Sequence, residues 1–368
     1  MKRIRINYNK KCADEPDKGH NRWHPKIPPV VEATPGEEVV METRDAFDRQ
    51  LKQTSSKKDV AALDLNLVHP LTGPVYVKGA EAGDLLEVDI LRVEPDRWGY
   101  TLIVPGFGFL RDVFTEPFIV KWVIKKGYAE TPDLPGVRIP GSPFVGTIGV
   151  LPSEALAREW REREQILLQK GGFVLPPEPK GAVPSGEPFS SEGLRTIPPR
   201  ENGGNLDIKQ LSAGARLYIP VFTEGAMFSA GDAHFAQGDG ETCGTAIEMN
   251  ATLHVKFKIH RARAKKQNIQ FPFFERDIYY GKPEFIAPKR LLATTGLCLH
   301  NGINESENAT LSARHAVLNM IDRLMERGWT KQQAYIITSV AADLRISELV
   351  DVPNFIVSAI LPLGIFIK

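Results

Sequence analysis

Cysteine is scarce: Cys12, Cys243 and Cys298 are the only three in 368 residues. The number is odd and no CxxC pair occurs, which excludes a disulfide framework and a cysteine-rich zinc site. Net charge is nearly absent too, at +1, so no global field attracts nucleic acid or anionic lipid. The run KFKIHRARAKK (256–266) does not change this, because alternating lysines on a strand form a solvated face. No apolar run reaches the roughly 20 residues of a membrane helix. The most apolar stretch, FIVSAILPLGIFIK (355–368), is broken by Pro362 and Gly364 and reads as a buried strand pair. The N-terminal MKRIRINYNKKCADEP is basic but has no apolar h-region, so no secretory signal is indicated. These absences predict a soluble, cytoplasmic protein with no nucleic-acid or membrane partner.

Gly and Pro are plentiful instead, at 31 and 28 residues spread along the chain, and they punctuate short alternating segments. That pattern predicts many strands and tight turns. EVDILRV (87–93) sets Val88 and Ile90 against Asp89 and Leu91. TLHVKFKIH (252–260) sets Leu253, Val255, Phe257 and Ile259 against His254, Lys256, Lys258 and His260. PGEEVVMET, AGDLLEVDI and AGARLYIPV enter their strands alike, and KGAEAGDLLEV resembles EGAMFSAGDAHF. Duplication of a β-unit and recurrence of turn chemistry both account for this. Three helices are expected. One covers 153–172, with Ser153 as cap, Gly171-Gly172 as stop and a Leu156, Trp160, Leu167 stripe. The others cover 312–328 and 330–343, the last opened by a Thr330/Gln333 capping box. The fold expected is mainly β, sandwich- or barrel-like, with an α+β C-terminal portion. Its parts would be a β-rich 1–150, a helix and Pro/Gly-rich loop over 151–200, and a C-terminal 201–368.

Chemistry concentrates in SAGDAHFAQGDGE (229–241). Asp232 and His234, two apart, share a face if the segment is extended. Gly238 and Gly240 let the backbone turn, aiming Asp239 and Glu241 at the same space. Carboxylates with one imidazole suit a divalent ion, Zn²⁺ or Ca²⁺, or a carboxylate–histidine base acting on water. Upstream, RENGGNLD offers Asn205 to bond an amide and Asp207 to bind metal or activate water. Downstream, TCGTAIE places Glu248 in apolar surroundings, where an acid needs a partner. Cys243 has no nucleophile-elbow pattern and reads as a small core residue. His20, Trp23, His24, Asp64 and His69 read as structural before they read as ligands.

In order along the chain, HNRWHPKIPP, VHPLTGPVYVKGAEAGDLLEVDI, PGFGFLRDVFTEPF, RENGGNLDIKQLSAGARLYIPVF, GDAHFAQGDGETCGTAIEM and DLRISELVDVPN resemble the acetamidase/formamidase family of amide hydrolases. The resemblance implies a mostly β fold, hydrolysis of a small amide to carboxylate and ammonia, a homo-oligomer and a divalent metal. It places Asn205, Asp207, Asp232, His234, Gln237, Asp239 and Glu241 in the segments that build the active site. TCGTAIEM is nearer the acetamidase form than the formamidase one.

An amide resists attack, so a site must polarise the carbonyl oxygen, deprotonate a water and protonate the nitrogen. Asp232, His234 and one or more of Asp207, Asp239 and Glu241 are expected to hold the ion. Glu241 or Glu248 would carry the proton, and Asn205, Gln237 and Gly238 would bind substrate. Two rivals are a thiol amidase using Cys243 and a non-catalytic binding protein stitched by calcium.

Overall fold

The computed structural model describes residues 1–277 and 290–367. Two large sheets share one apolar core. The first runs Lys2–Ile4, Val39–Thr43, Ala251–His260, Leu85–Pro95, Ala215–Pro220 and Phe273–Arg276, in that order across the sheet. Alternation decides which face goes inward: Leu253, Val255 and Phe257 are buried while Lys258 is exposed. Val88 and Ile90 are likewise buried, and Leu91 faces solvent.

The second sheet carries the chemistry. Its path is Arg138–Pro140, Tyr128–Glu130, Phe118–Lys125, Trp98–Ile103, Glu248–Met249, Phe228–His234, Phe144–Val150 and Gly203–Asn205. Leu71–Val77 also pairs with Phe228–His234. Phe228 meets Phe257 of the first sheet edge-on, 5.0 Å between ring centroids. Each such buried aromatic contributes roughly 1.5–3 kcal/mol by leaving water.

A three-stranded antiparallel sheet (Leu291–Leu297, Ile356–Pro362, Asp343–Glu348) closes the C-terminal part. The helices Ala309–Met325 and Lys331–Ala341 accompany it. Asn308 caps the first through Leu311 N, and Thr330 with Gln333 forms the expected capping box on the second. Ala316, Val317, Met320, Ile321 and Leu324 are buried as their spacing requires, but Met325 is not. Ser153 caps Glu154–Gln169, where Trp160 is buried and Leu167 lies outside the buried stripe.

The mainly β fold with helical parts is therefore as the sequence indicates, but three details differ. The divisions at 150 and 200 do not separate the sheets: Ala251–His260 lies between Val39–Thr43 and Leu85–Pro95, and Phe228–His234 pairs with Phe144–Val150. The apolar C-terminus is one central strand, Ile356–Pro362, followed by a turn over Leu363–Ile365, because Pro362 and Gly364 end it before a second strand can form. Ala82-Gly83-Asp84 is a turn, whereas Ala230-Gly231-Asp232 lies inside a strand, so that likeness is one of letters and not of structure. Among the described residues no helix is long and apolar enough to cross a membrane.

The Lys331–Ala341 helix braces the segment that follows Phe228–His234. Ser339 accepts Gly238 N at its carbonyl (2.8 Å) and Cys243 N at its hydroxyl (3.0 Å), and the hydroxyl donates to Thr245 O (3.0 Å). Tyr335 donates to Thr242 O and accepts from Leu110 N. The polar, glycine-rich loop that joins the interior strands Phe228–His234 and Glu248–Met249 is thereby held in place.

Candidate active site

Strand register brings the cluster together. His234 sits opposite Glu248 on one side and Phe144 on the other, while Thr147 pairs with both Gly231 and Asn205. Three cluster residues hold left-handed backbone conformations: Asp207 (φ 48°), Asp232 (φ 59°) and Glu241 (φ 40°). Such conformations are uncommon for residues with a Cβ, and they gather where function has required them.

His234 is the hub. Its Nε2 lies 3.2 Å from Asp232 Oδ1, 3.1 Å from Glu248 Oε2 and 4.0 Å from Glu241 Oε1. Its Nδ1 lies 3.0 Å from Gln237 Oε1, and Gln237 Nε2 donates to the Asp207 carbonyl at 2.7 Å. A backbone carbonyl only accepts, so it fixes which way the Gln237 amide points. The amide oxygen then faces Nδ1, which must carry a proton, and Nε2 is left to serve the carboxylates or a metal. The Phe144 ring stands edge-on to the imidazole, 5.0 Å between centroids.

Burial sets the acids apart electrostatically. Burial first, and then the Asp232 charge, push Asp207 up to about 7. Burial, partly offset by His234, pushes Glu248 up to about 7. Glu241 is raised well above the usual carboxylate range by burial and by the Asp207 charge. Burial also acts to raise Asp232, but His69 and His234 outweigh it and hold the carboxylate below its ordinary value. Burial acts to lower His234, and Glu248 and Asp232 reverse that, so its imidazole keeps a proton well above the usual range. Several acids thus compete for too little positive charge.

The donor atoms form two overlapping triads, Asp207/His234/Glu241 and Asp232/His234/Glu248, each within 4.8 Å. Asp207 Oδ1 is buried with no hydrogen-bond partner among the described residues. Oxygen donors around one imidazole fit a divalent cation. A consequence for stability follows from the raised acids. Between about pH 4 and 7 the folded metal-free protein holds protons on Asp207 and Glu248 that the unfolded chain has released. Stability should therefore fall as pH rises through that window. Melting of chelator-treated protein should drop by several degrees from pH 5 to 8, and a divalent cation that fits the cluster should recover the loss at pH 8. A melting temperature insensitive to both would refute this electrostatic picture.

The cluster opens on a cavity of about 50 Å³. Its polar lining is Asn205, Asp207, Asp232, Glu241, Thr245, Glu248 and His69, with Gly244 beside them; its apolar lining, Ala46, Phe47, Leu65, Val68, Phe107 and Ile197, belongs to one hydrophobic cluster. Behind the polar side the Thr147 hydroxyl lies 2.7 Å from Asn205 Oδ1, 3.1 Å from Asp232 Oδ2 and 3.4 Å from His69 Nδ1. His69 Nε2 is 3.9 Å from Asp232 Oδ2.

Asn205, Asp207, Asp232, His234, Glu241 and Glu248 thus come together as the sequence suggests. Asp239 does not. Gly240, at φ 103°, turns the chain so that Asp239 and Glu241 diverge. Asp239 instead faces Gln210 Nε2 (3.3 Å) and Lys209 Nζ (3.9 Å), outside both triads. Gly238 is packed against the Ala342 backbone, away from the cavity, and Gln237 stands behind His234 instead of facing a substrate. The Cys243 thiol is buried 3.1 Å from Leu102 O, its pKa is raised by burial, and it does not line the cavity. His20 bonds Ser229 Oγ and Arg22 O, His24 faces Glu192, and Asp64 caps Leu65–Leu67. The sequence reading missed Gly146, Thr147, Ala46 and Phe47. FVGTIGV has no polar density to mark it, and an apolar wall has no motif.

An antiparallel β scaffold holding a buried carboxylate–histidine cluster over a small cavity defines a hydrolase-like centre. Residues 5–368 match the model of the acetamidase/formamidase family, and the chain belongs to that family. It is an amidase. It is 36% identical to an acetamidase of Mycolicibacterium smegmatis, covering 90% of this chain and 87% of that one. It is 35% identical to a formamidase of Methylophilus methylotrophus, covering 99% and 93%. The solved structure of a γ-lactamase from Delftia acidovorans superposes with a TM-score of 0.93 at 36% identity, covering 100% of this chain and 93% of that one. Family membership replaces the non-catalytic reading.

Proposed function

We propose that the chain hydrolyses a compact primary carboxamide of the formamide or acetamide type, giving carboxylate and ammonia. The observation that carries this reading is the buried acid–histidine cluster at a cavity of about 50 Å³ whose other lining residues are largely apolar. At roughly 10–15 Å³ per water, that space takes about three to five waters, or one small amide.

Asp232, His234 and Glu248 would hold a divalent cation, and the imidazole favours zinc over the oxygen-seeking calcium. When bound, such an ion polarises a carbonyl and lowers the pKa of water. Asp207 and Glu241 form the second part of the centre. Burial and the Asp207 charge raise Glu241, while the hydrogen bond from Glu241 acts to lower Asp207, so of the two Glu241 is the better proton holder and Asp207 the one that ionises first. The ionised member takes a proton from the attacking water as the new C–O bond forms. The protonated member gives one to the nitrogen as the C–N bond breaks, so that ammonia and not an amide anion leaves. The Asn205 side-chain oxygen is engaged by Thr147, which leaves Nδ2 to donate to the substrate carbonyl.

Ammonia release from formamide, acetamide and a bulky arylacetamide, before and after chelation, tests this. Turnover of the two small amides, lost on chelation and restored by zinc, is expected; turnover indifferent to chelation would refute the metal part. No ammonia from either small amide would refute the substrate class. Three buried free cysteines agree with a reducing cytoplasm. Exposed Leu291, Leu297, Ile303, Ile346, Val350 and Val352 offer apolar surface for a homo-oligomer, which the solution molar mass would test.

A further inference from the structure

We propose that Phe47 and Ile197 fix the acyl length this amidase accepts, acting as a rigid wall and not as a yielding lid. This rests on the hydrolytic reading above. The polar side of the cavity is occupied by groups that serve the carbonyl oxygen, the attacking water and the leaving nitrogen. A substrate bound there has one remaining substituent, its acyl chain, and beyond Gly244 and Thr245 the rest of the lining it can meet is apolar.

Phe47 cannot retreat from that apolar side. The Asp45 carboxylate accepts from Phe47 N (3.1 Å), from Arg49 N (3.0 Å) and from the Tyr100 hydroxyl. Asp45 N in turn donates to Asn250 Oδ1 at 3.0 Å. The turn that follows is committed to left-handed conformations at Asp48 (φ 52°) and Arg49 (φ 63°). Behind Phe47 the space is filled by buried Leu51, Val60, Tyr100 and Leu102. Ile197 is tied down by its neighbour, since Thr196 Oγ1 accepts the His69 backbone N–H at 2.7 Å. Phe107, on the same side, sits in a Gly-flanked loop and is half-buried, so it is less constrained. A close-packed wall gives little, and each methylene that does not fit costs about 10–200-fold in kcat/KM.

The test is kcat/KM for formamide, acetamide, propionamide and butyramide in the zinc-loaded wild type and in Phe47→Ala, Phe47→Leu and Ile197→Ala. Phe47→Leu keeps the site mostly filled, and Ile197 is only partly buried, so these two guard against a folding failure of Phe47→Ala. The butyramide-to-acetamide ratio should rise at least about 10-fold in Ile197→Ala and in folded Phe47→Ala, and less in Phe47→Leu. A merely structural role would lower all four substrates together and leave the ratio where it was. An unchanged ratio in every folded variant overturns the proposal. A wild type that releases no ammonia from any of the four overturns the hydrolytic reading beneath it, which is a different result.

Discussion

Gly146→Ala should abolish amide turnover while leaving the protein folded. A Cβ at this position would lie 2.3 Å from Asp207 Oδ1, 2.8 Å from His234 Cε1 and 2.9 Å from Asp232 Oδ2. One methyl group would therefore collide with three members of the cluster at once. Gly146 is a strand residue whose φ lies outside the left-handed range, so the backbone itself accepts alanine. The damage is steric and local to the site. Overpacking of this kind costs about 1–3 kcal/mol, partly offset by about 0.4–1 kcal/mol from a stiffer unfolded chain. Displacing catalytic groups by an ångström costs on the order of 10²-fold or more in rate. Ammonia release should fall by at least that factor, with a melting temperature a few degrees lower. A Gly146→Ala enzyme with near wild-type turnover would mean that the cluster is not where the chemistry happens.

His234→Ala should lose at least about 10³-fold in turnover, and with it any divalent-cation binding at the cluster, since removing a centre that acts as a unit costs on this scale. His234 is the donor common to both triads, and it stands between the Asp232 and Glu248 carboxylates. Without it Asp232 loses one of the two histidines that keep it ionised, and the buried acids lose their nearest cation. The variant should be most destabilised, relative to wild type, near neutral pH. The gap should narrow as pH falls through the raised carboxyl range and the acids take up protons. Metal content, melting temperature across pH, and ammonia release read this out separately. A folded His234→Ala protein that keeps both cation binding and activity would sink the assignment.

Much of the site could be read without coordinates because its residues are dense. Asp232, His234 and Glu241 lie within ten residues, and Asn205 and Asp207 within three. Small spacers among polar groups are a local signal. Asp239 carries the same signal and was read the same way. What separates it from Glu241 is the backbone turn through Gly240 (φ 103°) and Glu241 (φ 40°), and the residue types alone do not set those angles. The Asp232/His234/Glu248 triad likewise depends on Glu248 lying opposite His234 across a strand pair, which is a matter of register.

The sequence by itself determined the strand-rich class, the helix caps at Ser153 and Thr330, and the family of the chain. It also named the four acids that meet around His234, Asp207, Asp232, Glu241 and Glu248. The strand class, the caps and the acids are matters of spacing and composition, carried by neighbours along the chain; the family rests on the resemblance of whole motifs. Only the tertiary structure decided that Gly146 must be bare, that Thr147 ties Asn205 to Asp232, and that Phe47 closes the apolar side of the cavity. Those residues lie far along the chain from the groups they constrain, Thr147 by 58 positions from Asn205 and by 85 from Asp232, and they are ordinary strand and core residues by type. Their effect comes from close packing and from the pairing of Phe144–Val150 with strands on both sides, which exist only once the chain has folded.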